Sequence, residues 1–475
     1  TQIDTKAPSA SPTFTGTASG SFSGPLAGNV TGEVTASKLN STDSLPTVRP
    51  SLLLDFANSK TLDPRITFTR GSTATYWDGH TTTKAEENLI TYSNFASGVN
   101  GTNNSITSTT ETAPDGSAQG REVTSTATTH ALVSMSTNVT NGKFYAFSVY
   151  LKYVDWQYIS LDVQDSRFNG SANIVVDLVN GTITKQNGYS NGTITDVGNG
   201  WYRVGFVDLC SFTSTNAFMI YQNDGGTTLD ITGVTSGKKW LVWGMQVEQR
   251  DAITAYTATS GSPIVKYQPT LQTAASGEAR FDHDPVTGES KGLLIEEART
   301  NLFTYSSEFD NAAWTKSDTT ITPNTAVAPD GTLTADNLIA DTDNNFHFTQ
   351  ELFSSSGNTA YTLSVFAKTA GYSKFFLQYN SNAEWVGSGN PKIVFDLASG
   401  AITASQDATG TITDVGNGWY RCTITATTES STSTTTANIH LADGSGNAPF
   451  TGDGYSGIYI WGAQMEAGSF PTSYI

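Results

Sequence analysis

Apolar and polar residues alternate over short runs along most of the chain. FSVYLK sets Phe147, Val149 and Leu151 on one side of an extended segment, and WQYISLDV and KFFLQY alternate in the same way. A two-residue period belongs to strands with one buried face. The NG, DG and GNG clusters between these runs supply the positive φ angles that hairpin turns need. No long segment sustains a helical period. The pattern predicts an all-β protein.

Twelve residues, GTITDVGNGWYR, occur at Gly192–Arg203 and again, unchanged, at Gly410–Arg421. Matches continue outward in the same order. Asn88-Leu89-Ile90-Thr91-Tyr92-Ser93 returns as Asn301-Leu302-Phe303-Thr304-Tyr305-Ser306, and Ala113-Pro114-Asp115-Gly116 as Ala328-Pro329-Asp330-Gly331. Trp243-Gly244-Met245-Gln246 with Glu248 returns as Trp461-Gly462-Ala463-Gln464 with Glu466. A whole domain of roughly 175 residues has been duplicated. Many strands and frequent turns at that size predict two jelly-roll β-sandwiches, at 88–261 and 301–475.

The repeated dozen reads as a strand, a tight turn and a second strand. Tyr202, Val204 and Phe206 share one face, as do Tyr420, Cys422 and Ile424 in the second copy. Trp201 and Arg203 share the other, where the guanidinium can cover the indole. Asp196 or Asp414 is the sole acid in each copy. The motif therefore reads as scaffold, with sugar stacking on Trp201 and Trp419 as the alternative. Cys210 and Cys422 are not equivalent positions, so Cys422 is expected as a small core residue and no disulfide is expected.

Composition supports this picture. The 475 residues are rich in Thr, Ser, Gly and Asn, and only 14% are charged. That length implies two to four domains. The net charge of −18 argues against nucleic acid and anionic membranes as partners. No apolar run approaches the ~20 residues of a membrane span.

The segment 1–46 differs in texture. Phe14-x-Gly16, Phe22-x-Gly24 and Val30-x-Gly32 recur every eight residues. One apolar residue per eight cannot build a core in one chain, but three chains wound together could bury it on a shared axis. A flexible linker is the alternative. Residues 47–87 read as a β-hairpin connector with Ile66 and Phe68 on one face. A second unrepeated block, Ala279–Leu302, overlaps an inter-module connector at 262–300.

PRITFTRGSTATYWDG, RFDHDPVTGESKGLLIEEARTNL and GAQMEAGSFPTSYI resemble recurrent segments of tailed-bacteriophage structural proteins, chiefly tail fibres and other virion fibres. KAPSASPTFTG resembles their connecting repeats. In shorter relatives the first two segments lie close together, as though the first sandwich had been inserted between them here. The resemblance implies a virion protein, a homotrimer attached to other virion proteins by its N-terminal segment. It also implies carbohydrate-binding or lectin-like modules directed at host cell-surface polysaccharide. The end at PTSYI departs from the family, with no trimerising coil or further tip domain evident. A head fibre or capsid decoration of purely structural role, and a polysaccharide-depolymerising tailspike, are the alternatives.

Catalysis is not expected. Neighbours in Asp282-His283-Asp284 point oppositely on an extended chain, and one of Glu296 and Glu297 is expected to pair with Arg299. Nothing identifies the two facing carboxylates of a glycosidase. Candidate sugar platforms are Trp156, Tyr158, Phe168 and Tyr189 in the first module, and Tyr372, Tyr379 and Trp385 in the second, with an ordinary half-buried strand aromatic as the alternative at each. Trp385, in the loop-like SNAEWVGSGN, leads this group, so Trp385→Ala is expected to lower glycan binding without unfolding. Asp115 and Asp330 could ligate a structural Ca²⁺, though APDG is also an ordinary turn. No cofactor is assigned.

Overall fold

The computed structural model describes residues 54–58, 60–117, 120–163, 167–168, 173–187, 191–223, 235–380, 384–387, 389–431 and 433–475. The eight-residue repeat of 1–46, and Tyr189, lie outside them. Among the described residues there are strands and turns but no helix. The all-β expectation holds.

Each copy is a sandwich of two six-stranded antiparallel sheets. In the first module a front sheet runs in the order Thr193–Asp196, Trp201–Leu209, Phe144–Tyr153, Lys239–Glu248, Arg121–Ser125, Asn104–Ser108. The back sheet runs Asn100–Thr102, Leu132–Val139, Ser214–Gln222, Tyr158–Val163, Asn173–Asp177, Thr182–Asn187. The second module repeats both orders. Its front sheet is Thr409–Gly416, Trp419–Thr427, Ala360–Ala370, Gly457–Ala467, Ala335–Ala340, Thr319–Ala326. Its back sheet is Thr315–Ser317, Phe348–Ser355, Ser433–Leu441, Lys374–Tyr379, Lys392–Asp396, Ala401–Gln406. Strands consecutive in sequence repeatedly change sheet, which closes a jelly roll around one core per module.

The alternating positions fill those cores. Phe147, Val149, Leu151, Val204 and Phe206 lie in the first. Leu363, Val365, Phe375, Leu377 and Ile424 lie in the second, with Cys422 fully buried and unpaired. At the corner between paired strands, Gly198, Asn199 and Gly200 all take positive φ, as do Gly416, Asn417 and Gly418. A Cβ strains that conformation, so the glycines of GNG are required there.

The other repeated residues tie strand ends together. Asn88 Nδ2 donates to the Met245 and Thr257 carbonyls, while its Oδ1 accepts from the Ile90 and Val247 amides. Asn301 repeats the clamp with Ala463, Phe303 and Met465. Buried Glu248 accepts from Thr254, and Glu466 from Thr472. Trp201 and Trp419 turn away from the sandwich cores and donate to the Thr112 and Val327 carbonyls. Arg203 lies over the Tyr150 ring at 5.4 Å, and Arg421 over Phe366 at the same distance, so the guanidinium does not cover the indole beside it. The cross-strand neighbour, not the residue two along, meets the guanidinium.

The expected hairpin at 47–87 is not present in its described part. Ile66 and Phe68 are half-buried but outside any strand. Ala74–Asn88 instead pairs antiparallel with Ile264–Ala274, from beyond the first module. Local alternation cannot tell a hairpin from a strand whose partner is distant. The two unrepeated blocks do meet. The Trp77 amide donates to Asp282, His283 Nδ1 contacts the Trp77 carbonyl, and Arg280 reaches the Thr75 carbonyl. The chain end joins them: the Thr75 hydroxyl and amide both donate to the Tyr474 carbonyl, and Ser473 donates to Glu296. All of this lies within one compact unit, residues 54–475.

Candidate functional site

The two copies diverge on the outward face of the back sheet. In the second module, strand register lines up Phe348, His440, Phe376 and Val394 as one row across four strands. The next row is Gln350, Asn438, Gln378 and Lys392. Leu352, one position further along its strand face, is 62% exposed. Neighbouring strands lie ~4.8 Å apart, so each row is a ladder of adjacent side chains.

The aromatic row is open at one end. His440 stacks on Phe376 at 4.4 Å with planes 9° apart, and meets Phe348 at 4.6 Å. Lys392 Nζ lies 4.5 Å from the Phe376 centroid. Ala448 packs onto Phe376 and Val394 and covers that end. At the other end Phe348 is half-buried and Phe346 is 42% exposed, edge-on to His440. Burial, then the charge of Lys392, drives the His440 pKa down to about 3, so its imidazole is neutral at ordinary pH. Neither of its ring nitrogens has a hydrogen-bond partner among the described residues.

The amide row is held in place. Asn438 Nδ2 donates to the Gln378 carbonyl and to Thr436, and Gln378 Nε2 donates to Asn380. Asn438 is 0% exposed and closed off by these bonds, so the half-buried Gln350, Gln378 and Lys392 are the polar groups presented beside the exposed Phe346 edge. A sugar ring is complementary to that surface, with an apolar C–H face and a hydroxyl rim. The first module lacks the pattern: the equivalent rows are Leu132, Tyr221, Ser160, Val175 and Ser134, Met219, Asp162, Asn173.

The expected platforms lie elsewhere. Trp385 is 1% exposed and stacks on Tyr379 at 4.2 Å with planes 10° apart, inside the second core. Its turn is pinned by a bridge to Thr428, and the Tyr379 hydroxyl accepts from the Leu363 amide. Neither ring can receive a sugar, which corrects the expectation that Trp385 and Tyr379 are sugar platforms. Phe168 is likewise buried, against Tyr145 and Phe218. Trp156 is half-buried against the first core and donates to the Tyr158 and Asn223 carbonyls. Tyr158 is half-buried at the start of a central strand of the first back sheet, opposite Asp177. Tyr372 is half-buried, edge-on to Phe450 at 5.3 Å. The structure brings Trp385 and Tyr379 together as core, and Trp156 near Tyr158, but forms no shared platform from the set.

The strand-face residues were missed although NNFHFTQEL carries a signal. Phe346, Phe348, Gln350 and Leu352 alternate, and the aligned HALVSMS has no aromatic. What sequence alone withholds is which strands flank them.

Asp115 and Asp330 accept from the amides and hydroxyls of Ser117 and Thr332, closing ordinary turns. Among the described residues, the acids that could share a metal are Asp318, Asp341 and Asp343, whose oxygens lie within 4.8 Å. Hydrogen bonds already hold two of them: Asp318 accepts from Ser317 and Asn345, and Asp341 from the Asp343 amide. The candidate catalytic acids are also engaged. Asp282 binds the Trp77 amide, Asp284 caps Val286 and Thr287, Glu296 pairs with Arg280, and Glu297 pairs with Arg299.

No family model and no curated protein matches the chain. Among solved structures, the N-terminal tandem of two CBM22 domains from Paenibacillus barcinonensis Xyn10C aligns over 82% of this chain and all of its own, at 11% identity and a TM-score of 0.23.

Proposed function

We propose that this chain is a fibre protein of a tailed-bacteriophage virion that holds host-surface glycan without cleaving it, chiefly through the back-sheet face of its second module. The observation that carries the reading is the ladder Gln350–Asn438–Gln378–Lys392 bordered by Phe346 and Phe348, present in one copy and replaced in the other. The half-buried Gln350 and Gln378 amides bind hydroxyls and the exposed Phe346 edge packs against the ring's C–H face. Two supports favour the virion setting: the three segments that resemble fibre proteins pack together around Thr75, Glu296 and Ser473, and the octad precedes them. A trimer multiplies a weak single-site affinity through effective concentration.

The test is an array of bacterial lipopolysaccharide O-chains and capsular polysaccharides, with a reducing-end assay on every ligand bound. Retention of at least one glycan with no new reducing ends supports the reading. No retention, or steady release of reducing ends, contradicts it.

A further inference from the structure

The duplication supplies its own comparison for a second site. In the second module the outward front face, with Arg421, Phe366 and Tyr474, looks onto a gap of about 230 Å³. Trp77 and Leu271, from the two connector strands, pack onto that face. In the first module the equivalent Arg203, Tyr150 and Tyr256 look onto a cleft of about 1160 Å³, roofed by the second module. Clefts that hold small ligands run to roughly 300–1,000 Å³. The same face is therefore filled in one copy and open in the other.

The wall carries buried polar groups with nothing to bind. Trp243 is 2% exposed and its Nε1 has no partner among the described residues, whereas Nε1 of the equivalent Trp461 donates to Thr334 at 3.1 Å. On the roof, buried Asn337 Oδ1 is also without a partner. Arg203 Nε shares that state with Arg421, so the indole and Asn337 carry the argument. A buried donor or acceptor left unpaired is destabilising, and a ligand that pairs it recovers that loss.

The lining also defines the ligand. Lys266 and Lys368 both pair with Glu86 at the rim, and Asp196 accepts from the Gly198 amide. With Asp115 and Arg203 the lining holds three acids and three bases, so its charge sums to zero and the cleft favours a neutral guest. Tyr256 and Tyr459 each keep part of a ring open, and Thr320 and Thr322 line the roof between them. Half-exposed rings among hydroxyls and amides suit a chain of uncharged sugars. We propose that the cleft between the modules is a second binding site, for a neutral oligosaccharide segment. It shares with the back-sheet reading only the class of ligand.

The full chain is titrated calorimetrically with cellohexaose, maltohexaose, mannohexaose and N-acetylchitohexaose, beside Phe346→Ala, Thr322→Arg and Trp243→Phe. Thr322 faces away from the sandwich core, so arginine there fills the cleft, and melting curves verify each fold. Binding that survives Phe346→Ala, falls at least about tenfold in Thr322→Arg and weakens in Trp243→Phe supports the cleft. If Phe346→Ala removes all binding, the cleft is overturned and the back-sheet face stands. Unchanged binding in both Thr322→Arg and Trp243→Phe also overturns the cleft, as does silence from all four probes. Binding lost in Thr322→Arg but untouched by Phe346→Ala keeps the cleft and overturns the back-sheet reading.

Discussion

Asn88 and Ile264 are partners at the end of one antiparallel ladder, although the whole first sandwich lies between them in sequence. The chain leaves the connector and re-enters it at adjacent points. An insertion with neighbouring ends leaves its host's contacts intact. Replacing residues 89–263 with an Asn-Gly turn should therefore give a folded protein, because Ala74–Asn88 and Ile264–Ala274 then close a hairpin. A single cooperative melt with β-type circular dichroism is expected. An aggregated or unfolded product would show that the first module is needed to hold the connector.

Trp385→Ala should act on stability, not on binding. The indole is enclosed with Tyr379 and Phe353, and large-to-small changes at such sites cost about 3–5 kcal/mol. A lower melting temperature is expected, with unchanged glycan affinity per folded molecule. Weakened binding at an unchanged melting temperature would reverse this assignment.

Thr472 donates its hydroxyl and its amide to buried Glu466, and Thr254 does the same for Glu248. Thr472→Val removes the hydroxyl while keeping the shape. The carboxylate loses one charge-assisted bond inside the protein, a cost of about 1.5–3 kcal/mol. Chemical denaturation should read that loss, and Thr254→Val should repeat it in the first module.

Asp208 faces the first core, where its Oδ1 accepts the Leu209 amide and its Oδ2 has no partner. Burial raises its pKa from 3.8 to about 6. The folded protein then holds the proton more tightly than the unfolded chain, so stability falls as pH rises from about 4 to 6 and stays lower above that. Asp208→Asn removes this loss. It should melt higher than the parent at pH 7 and equally near pH 4, in scans at both values. An equal melting temperature at pH 7 would show that the carboxylate is not penalised.

Much of the fold was legible because duplication repeats the same physical constraints. The Asn88 and Asn301 clamps, the GNG corners and the alternating core positions each appear twice, and each copy vouches for the other. What joins the two unrepeated blocks, Trp77 to Asp282 across 205 residues, was not legible from local pattern. Nor was strand pairing over long separations, so Ala74–Asn88 read as half of a local hairpin. The site was not legible for the same reason. Gln350, Asn438, Gln378 and Lys392 come from four separated segments, and only sheet order makes them neighbours. Trp385 misled because Gly and Asn around an aromatic look like an open loop, whereas a bridge to Thr428 folds it inward.

The most direct measurement compares the intact chain with Phe346→Ala and Gln378→Ala in binding to whichever bacterial surface polysaccharide the array retains. Both residues sit on the back-sheet face of the second module, and Phe346 is exposed enough for its loss to leave the core unchanged. The account predicts that each variant keeps its melting temperature and loses about tenfold or more in affinity, as expected for one lost stacking contact or hydrogen bond. Full affinity in both variants would contradict it.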